Sequence, residues 1–185
     1  MRKTVLVPIA DGTEEFEAVG IIDTLRRAGA EVTVASVNKL TVTASREVVI
    51  RADKLLADCV LQEYDLIALP GGLPGAEHLR DDKTLTQMLL KQAESGKFYA
   101  AICASPVVVL QHHGLLKNKF STAHPAIAAK LKKSDKAGQR TVVDGNCITS
   151  QGPGTVLEFS IKLVELLFDK NRAKKNVDSM LIKID

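Results

Sequence analysis

The 185-residue chain has no tryptophan, two tyrosines and no basic-aromatic motif, so it offers little on which nucleobases could stack. Its net charge is +3, too small to imply a polyanionic partner, and its basic residues are scattered apart from two clusters. Lys130, Lys132 and Lys133 form one, and Arg172 with Lys174 and Lys175 the other; both read as solvated helix faces. Long apolar runs are missing too. Val5 to Ala10 contains Pro8 and stops at Asp11, too short for a signal-peptide core, and nothing approaches the ~20 residues of a membrane span. Cysteine is sparse: Cys59, Cys103 and Cys147, odd in number and irregular in spacing, form neither a disulfide framework nor a zinc-type pair. These absences predict a soluble cytoplasmic protein in a reducing compartment, with neither membrane nor nucleic-acid partners. Phosphate-binding signatures are lacking as well. There is no Walker-type loop, and Gly71-Gly72-Leu73-Pro74-Gly75 has neither the dinucleotide spacing nor, at Pro74, the N–H that a phosphate needs. No pair of ligand residues suggests a metal, so no cofactor is expected.

What is present is an alternation of short β-branched runs with longer amphipathic ones, the pattern of parallel strands joined by crossover helices. Thr4 to Ile9 is the first predicted strand. Thr13 is a plausible N-cap for a helix running to Ala28, with Glu14 and Glu15 complementing its dipole in water and Gly29 ending it. Glu31 to Val37 is a second strand, and Leu40 to Ala44 with Glu47 to Arg51 an exposed pair. Asp65 to Leu69 is a core strand, followed by a tight turn at Gly71 to Gly75. A helix from about Asp82 to Glu94 leads to a strand ending at Ile102. A further strand is predicted near Phe120 to Ala123, a hairpin around Asp144-Gly145, and a buried helix after Gly152-Pro153-Gly154. With no linker or repeat, residues 1–185 read as one α/β domain. In an open α/β sheet the functional crevice lies beyond the carboxyl ends of the strands, where Asp11 to Glu17, Gly71-Gly72, Cys103 and His124 all fall.

Among these, Cys103 carries the sharpest chemical signal. It sits where an apolar strand gives way to Ser105-Pro106 and the run Val107 to Leu110, a helix start that Gly114 closes. A thiol at a helix N-terminus is expected to favour its thiolate, whereas most unpaired cysteines are small buried hydrophobes. The elbow geometry resembles that of serine hydrolases, in which the N–H after the nucleophile holds an oxyanion; here that residue is Ala104. Gly71 and Gly72 either add N–H donors by close backbone approach or merely turn the chain. Glu17 either faces water or points into the crevice, where burial and a neighbouring thiolate raise its pKa and make it a proton donor to Cys103. His124 is a proton relay or a packed histidine. His112 and His113 read as dipole partners at a helix end, and His78 has no evident partner.

The segments Asp11 to Glu17, Leu69 to Gly72, Ala100 to Pro106 and Thr149 to Thr155 together resemble the ThiJ/PfpI superfamily. Within it they are most similar to the branch of the Parkinson's-disease-associated deglycase and the YajL-like proteins. The resemblance runs in order from Met1 to about Phe168. It implies a flavodoxin-like three-layer sandwich with a mostly parallel central sheet, and a homodimer. It further implies a reactive Cys103, a protonated Glu17, an active-site His124 and a backbone pocket at Gly71, Gly72 and Ala104. Arg46 corresponds to an arginine lining the anion pocket, and Gly152 and Pro153 border the site, with Pro153 expected from the partner subunit. The activity implied is a cofactor-independent glyoxalase or deglycase acting on methylglyoxal, glyoxal or their early adducts with proteins and nucleotides. The alternative is an oxidative-stress sensor or redox-regulated chaperone working through oxidation of Cys103. Amidase or peptidase activity is a third reading, disfavoured because the protease branch has a histidine where this chain has Ala104. Ser105 departs from the usual glycine or alanine, and Ala44 stands where some relatives carry a second redox cysteine.

Overall fold

Along β1 (Thr4–Ile9) the side chains alternate between two separate cores: Val5, Val7 and Ile9 face one, Leu6 the other. That period of two places hydrophobic layers on both sides of a central sheet, as an apolar strand buried on both faces requires. The computed structural model describes residues 2–183. One layer is built by α1 (Glu15–Arg27), α5 (Val156–Leu167) and α6 (Lys170–Ser179), whose Ile21, Leu25, Phe159, Val164 and Ala173 share a core. The opposite layer comprises α2 (Gly75–Asp81), α3 (Lys83–Glu94) and a π-helical segment Pro106–Gln111, packing Leu79, Leu85, Leu89 and Val109 against the other face. Among the described residues no helix is long and apolar enough to cross a membrane.

The remaining strands are β2 (Glu31–Ser36), β3 (Thr41–Thr43), β4 (Val49–Arg51), β5 (Lys54–Leu55), β6 (Leu66–Leu69), β7 (Phe98–Ile102), β8 (Thr141–Asp144) and β9 (Cys147–Ser150). Seven form one sheet in the order β5-β2-β1-β6-β7-β9-β8, parallel except for the edge hairpin β8–β9. This is the flavodoxin-like α/β fold. Chain order reverses about β1, so the crevice between the ends of β1 and β6 is a topological switch point. β3 and β4 pair antiparallel outside the main sheet, and α4 (Pro125–Ala128) is a single turn.

Several local expectations are corrected. The N-cap of α1 is Glu14, whose carboxylate accepts the Glu17 N–H at 2.7 Å, while the Thr13 hydroxyl accepts the Ala10 N–H. Phe120 to Ala123 is no strand, because its N–H groups turn to side chains: Phe120 donates to Asp144 and Thr122 to Thr149. Lys132 and Lys133 lie on a loop rather than a helix face, with the Lys133 ammonium 3.4 Å from the Phe120 ring centroid. His113 reaches the Arg80 carbonyl and His78 the Asp11 carbonyl, so both are structural ties. The lysine-rich tail forms α6, fastened to α1 by a buried bond from Asn176 Nδ2 to the Thr24 carbonyl at 2.8 Å.

Candidate active site

Cys103 follows β7 with φ +64°, the left-handed region that side chains with a Cβ rarely adopt. Such a conformation costs about 1–3 kcal/mol and is held here from both sides. The Cys103 N–H donates to the Ser150 carbonyl at 3.0 Å, and its carbonyl accepts the His124 N–H at 2.9 Å. The elbow is therefore tied to the end of β9 and to the loop that carries His124.

Behind the sulfur lies Glu17, fully buried at the start of α1. Its Oε2 accepts the Gly71 N–H at 2.7 Å, and its Oε1 has no hydrogen-bond partner. Burial raises its pKa to about 7, the Glu14 charge adds to this, and the Gly71 and Cys103 donors oppose it. That direction agrees with the expectation for Glu17. For Cys103 the direction is opposite to the thiolate expected at a helix start: burial, the Glu17 carboxylate and its contact push the thiol up to about 12, against the pull of the Gly72 and Ala104 N–H groups. A helical turn does follow the cysteine, with Ser105 in helical backbone and the Val108 N–H donating to the Ala104 carbonyl at 2.9 Å, but it does not outweigh these causes. The two acids titrate as a pair, and moving the proton from sulfur to Glu17 removes the neighbouring charge that disfavours the thiolate.

Gly71 and Gly72 are more than a turn. A Cβ on Gly71 would stand 2.6 Å from Cys103 Cβ and 3.0 Å from the Ala104 nitrogen, so only glycine lets this backbone reach the elbow. Gly72, at φ +89°, packs against the backbone of Gly12 and Glu14.

The sulfur opens onto a cavity of about 360 Å³ that also exposes Gly72, Ala104, His124, Arg46 and Pro153. Glu17 and Gly71 lie beneath it, so the residues predicted from sequence converge on one place. Pro153 lines the cavity from the same chain as Cys103, correcting the expected contribution from a partner: the β9–α5 loop already lies beside β7. His124 caps α4, with Nδ1 accepting the Ala126 N–H at 3.3 Å. Arg46 is exposed at the rim; its guanidinium donates to the Ser45 carbonyl and has no carboxylate within 4.0 Å among the described residues.

Glu15 was expected in water, yet it is buried. Its carboxylate accepts the Ser45 hydroxyl at 2.9 Å and the Arg46 N–H at 2.8 Å. Burial alone would raise its pKa, but its own backbone N–H, these two donors and the Val48 backbone outweigh it and hold the carboxyl below its ordinary range. Sequence reading also missed Ser45, Leu73 and Ile127 in the cavity wall. Ser45 adjoins Arg46 in a hairpin turn and Ile127 follows Pro125, but no spacing rule brings those loops to Cys103. Among the described residues no group of three or more His, Cys, Asp or Glu is placed to hold a metal ion.

The DJ-1/PfpI family model matches residues 3–166. The chain is 54% identical over 169 residues to Protein DJ-1 homolog B of Arabidopsis thaliana, an alignment that covers 91% of this chain and 39% of that protein. The chain thus spans well under half of that plant relative's length. It is 33% identical over 165 residues to the glutathione-independent glyoxalase DJR-1.2 of Caenorhabditis elegans, covering 88% of this chain and 87% of the worm protein. Among solved structures, oxidized Toxoplasma gondii DJ-1 superposes with a TM-score of 0.95 at 48% identity, covering 98% of this chain and 100% of the other.

Proposed function

The chain belongs to the DJ-1/PfpI family, and on that premise we propose that it is a cofactor-independent glyoxalase or deglycase acting on methylglyoxal, glyoxal or their early protein and nucleotide adducts. One observation carries the reading: Cys103 stands at an open cavity with the buried acid Glu17 behind it and the Gly71-Gly72 backbone packed against its elbow. In this reading Glu17 takes the thiol proton as sulfur bonds to the aldehyde carbon. The Gly72 and Ala104 N–H groups hold the developing alkoxide, to which Glu17 returns the proton, giving a hemithioacetal and restoring its own carboxylate. Glu17 then carries a proton from that carbon to the neighbouring one, with His124 at the cavity mouth as a relay. The first carbon is oxidised to a thioester as the second is reduced to an alcohol, so no external oxidant enters. Water cleaves the thioester, releasing a 2-hydroxy acid and the thiol. The cavity far exceeds a three-carbon oxoaldehyde, which supports a substrate that carries a peptide or nucleotide portion. Arg46, at the rim, would meet an anionic group of that portion.

The test is consumption of methylglyoxal with formation of lactate by wild type and Cys103→Ala. Wild type is expected to turn over and the variant to show no activity above the uncatalysed rate; equal rates would remove the proposal.

The Toxoplasma gondii neighbour is an oxidized protein, which favours a second reading in which Cys103 is oxidised and the elbow amides hold the product. Mass spectrometry after mild peroxide, paired with holdase activity of Cys103→Ala, tests it: no oxygen gained on Cys103 and a variant that still protects client proteins would exclude the sensor, while Cys59 and Cys147 are both buried. A homodimer is proposed as well. Phe16 and Val19 are exposed on one face of α1, and Val48 and Val49 are exposed on the hairpin that Glu15 holds beside it. Sedimentation showing a monomer at micromolar concentration would exclude that pairing.

A further inference from the structure

Ser105 stands two residues after the cysteine and is fully buried. It precedes the π-helical segment, where a serine would ordinarily cap the backbone by accepting an N–H. It makes no such bond. Its hydroxyl instead donates across the site to the Pro70 carbonyl at 2.5 Å. Pro70 is buried at the end of β6, immediately before the two glycines that approach the sulfur.

The Pro70–Gly72 segment is also fastened by the Gly72 carbonyl, which accepts the Ala76 N–H of α2 at 2.9 Å, and by two bonds from the α1 side. The Gly71 N–H donates to Glu17 at 2.7 Å, and the Gly71 carbonyl accepts the Glu14 N–H at 2.9 Å. Both ties pull the loop towards α1. The bond from Ser105 is the side-chain tie between this loop and the elbow itself. The separation it spans matters, because the Gly71 backbone already lies against Cys103 Cβ and the Ala104 nitrogen, and the Gly72 and Ala104 N–H groups that favour the thiolate come from the two segments it joins.

We propose that Ser105 is a positioning residue that sets the spacing between the Gly71-Gly72 amides and the Cys103 elbow, and through it the stabilisation of the sulfur anion and of the oxyanion formed at it. The role rests on the proposed thiol chemistry only for its effect on turnover; its effect on the thiol is independent of any substrate. Preorganised donors stabilise charge because they need no reorganisation when charge appears, so loosening the tie lowers the charge stabilisation without removing a donor. Removing the hydroxyl leaves the helix start unchanged, since it does not cap that helix.

The experiment compares wild type, Ser105→Ala and Ser105→Thr in the pH dependence of Cys103 alkylation by iodoacetamide, followed by mass spectrometry, and in the kcat and KM for methylglyoxal. Loss of one buried hydrogen bond corresponds to about a three- to tenfold effect. Ser105→Ala is expected to alkylate about three- to tenfold more slowly at neutral pH, with its profile displaced to higher pH. Its kcat is expected to fall by a similar factor at unchanged KM. Ser105→Thr, which keeps the hydroxyl, is expected to hold the wild-type alkylation profile; if its extra methyl prevents folding, Ser105→Ala alone decides. An alanine variant that folds and alkylates with the wild-type profile would overturn the role. Absence of methylglyoxal turnover in wild type would remove the proposed activity instead, leaving the alkylation result to judge Ser105.

Discussion

Glu15 Oε1 accepts the Arg46 N–H at 2.8 Å, and through that bond the first turn of α1 holds the hairpin turn that lines the cavity together with His124. The same carboxylate takes the Ser45 hydroxyl, and the Ser45 N–H donates to the Thr13 carbonyl at 2.8 Å. An acidic residue that looks like a dipole partner is therefore the anchor of a loop distant in sequence.

Glu15→Ala removes both acceptors without touching the sulfur. The expected result is roughly a tenfold rise in KM with a much smaller change in kcat, since hydrogen bonds to charged groups are the stronger ones. Cys103 alkylation should stay within about twofold of wild type. Steady-state kinetics on methylglyoxal read this directly, and an unchanged KM would show that the wall does not depend on Glu15.

Glu17→Gln tests the buried acid through stability. The folded-state pKa is raised from 4.5 to about 7, so the folded protein holds this proton more tightly than the unfolded chain. Below about pH 4 both states are protonated and ionisation costs nothing. As pH rises through 4.5 to about 7, wild type loses stability on the order of 3 kcal/mol, and above that window the loss is complete. The glutamine variant lacks that loss, so its stability relative to wild type should climb across the same window and then level. Urea midpoints measured across the window check this, and a difference independent of pH would contradict the buried carboxyl. Turnover should fall at least about a hundredfold, the scale of a lost general base.

The left-handed backbone at Cys103 predicts an order among inactive variants. Cys103→Gly and Cys103→Ala both remove the thiol, but only glycine adopts φ +64° without steric cost. The glycine variant is expected to be more stable by about 1 kcal/mol, which for a chain of this size moves the thermal midpoint by roughly 2–4 °C. Calorimetry in one buffer decides; an alanine variant at least as stable would mean that the elbow is not strained.

How much of this was legible in the sequence can be judged from particular elements. β1 and β6 carry apolar runs of strand length, and those runs alone place Asp11 and Gly71 at strand ends. The exposed pair β3–β4 and the β8–β9 hairpin were likewise readable, though the turn residues proved to be Gly145-Asn146 rather than Asp144-Gly145. Phe120 to Ala123 has strand composition yet forms no ladder, because Asp144 and Thr149 offer side-chain acceptors where a neighbouring strand would offer carbonyls. The sequence pattern predicts no helix over α2, of which only Gly75 falls in the predicted turn; that glycine is required by close contact with the Thr13 backbone rather than by helix propensity.

The sequence by itself determined the α/β alternation and the principal strands and helices, the placing of Cys103, Gly71-Gly72 and Glu17 near strand ends, and the family resemblance, since all of these depend on local pattern and spacing. Tertiary structure alone decided that Glu15 turns inward, that Pro153 reaches the cavity from its own chain, and that Cys103 and Glu17 both have raised pKa values. The reason is physical: a pKa follows from which groups are buried and which charges and N–H groups surround them, and here those neighbours come from segments up to dozens of residues apart. A periodic pattern reports which face of an element is apolar, not which distant loop closes over it.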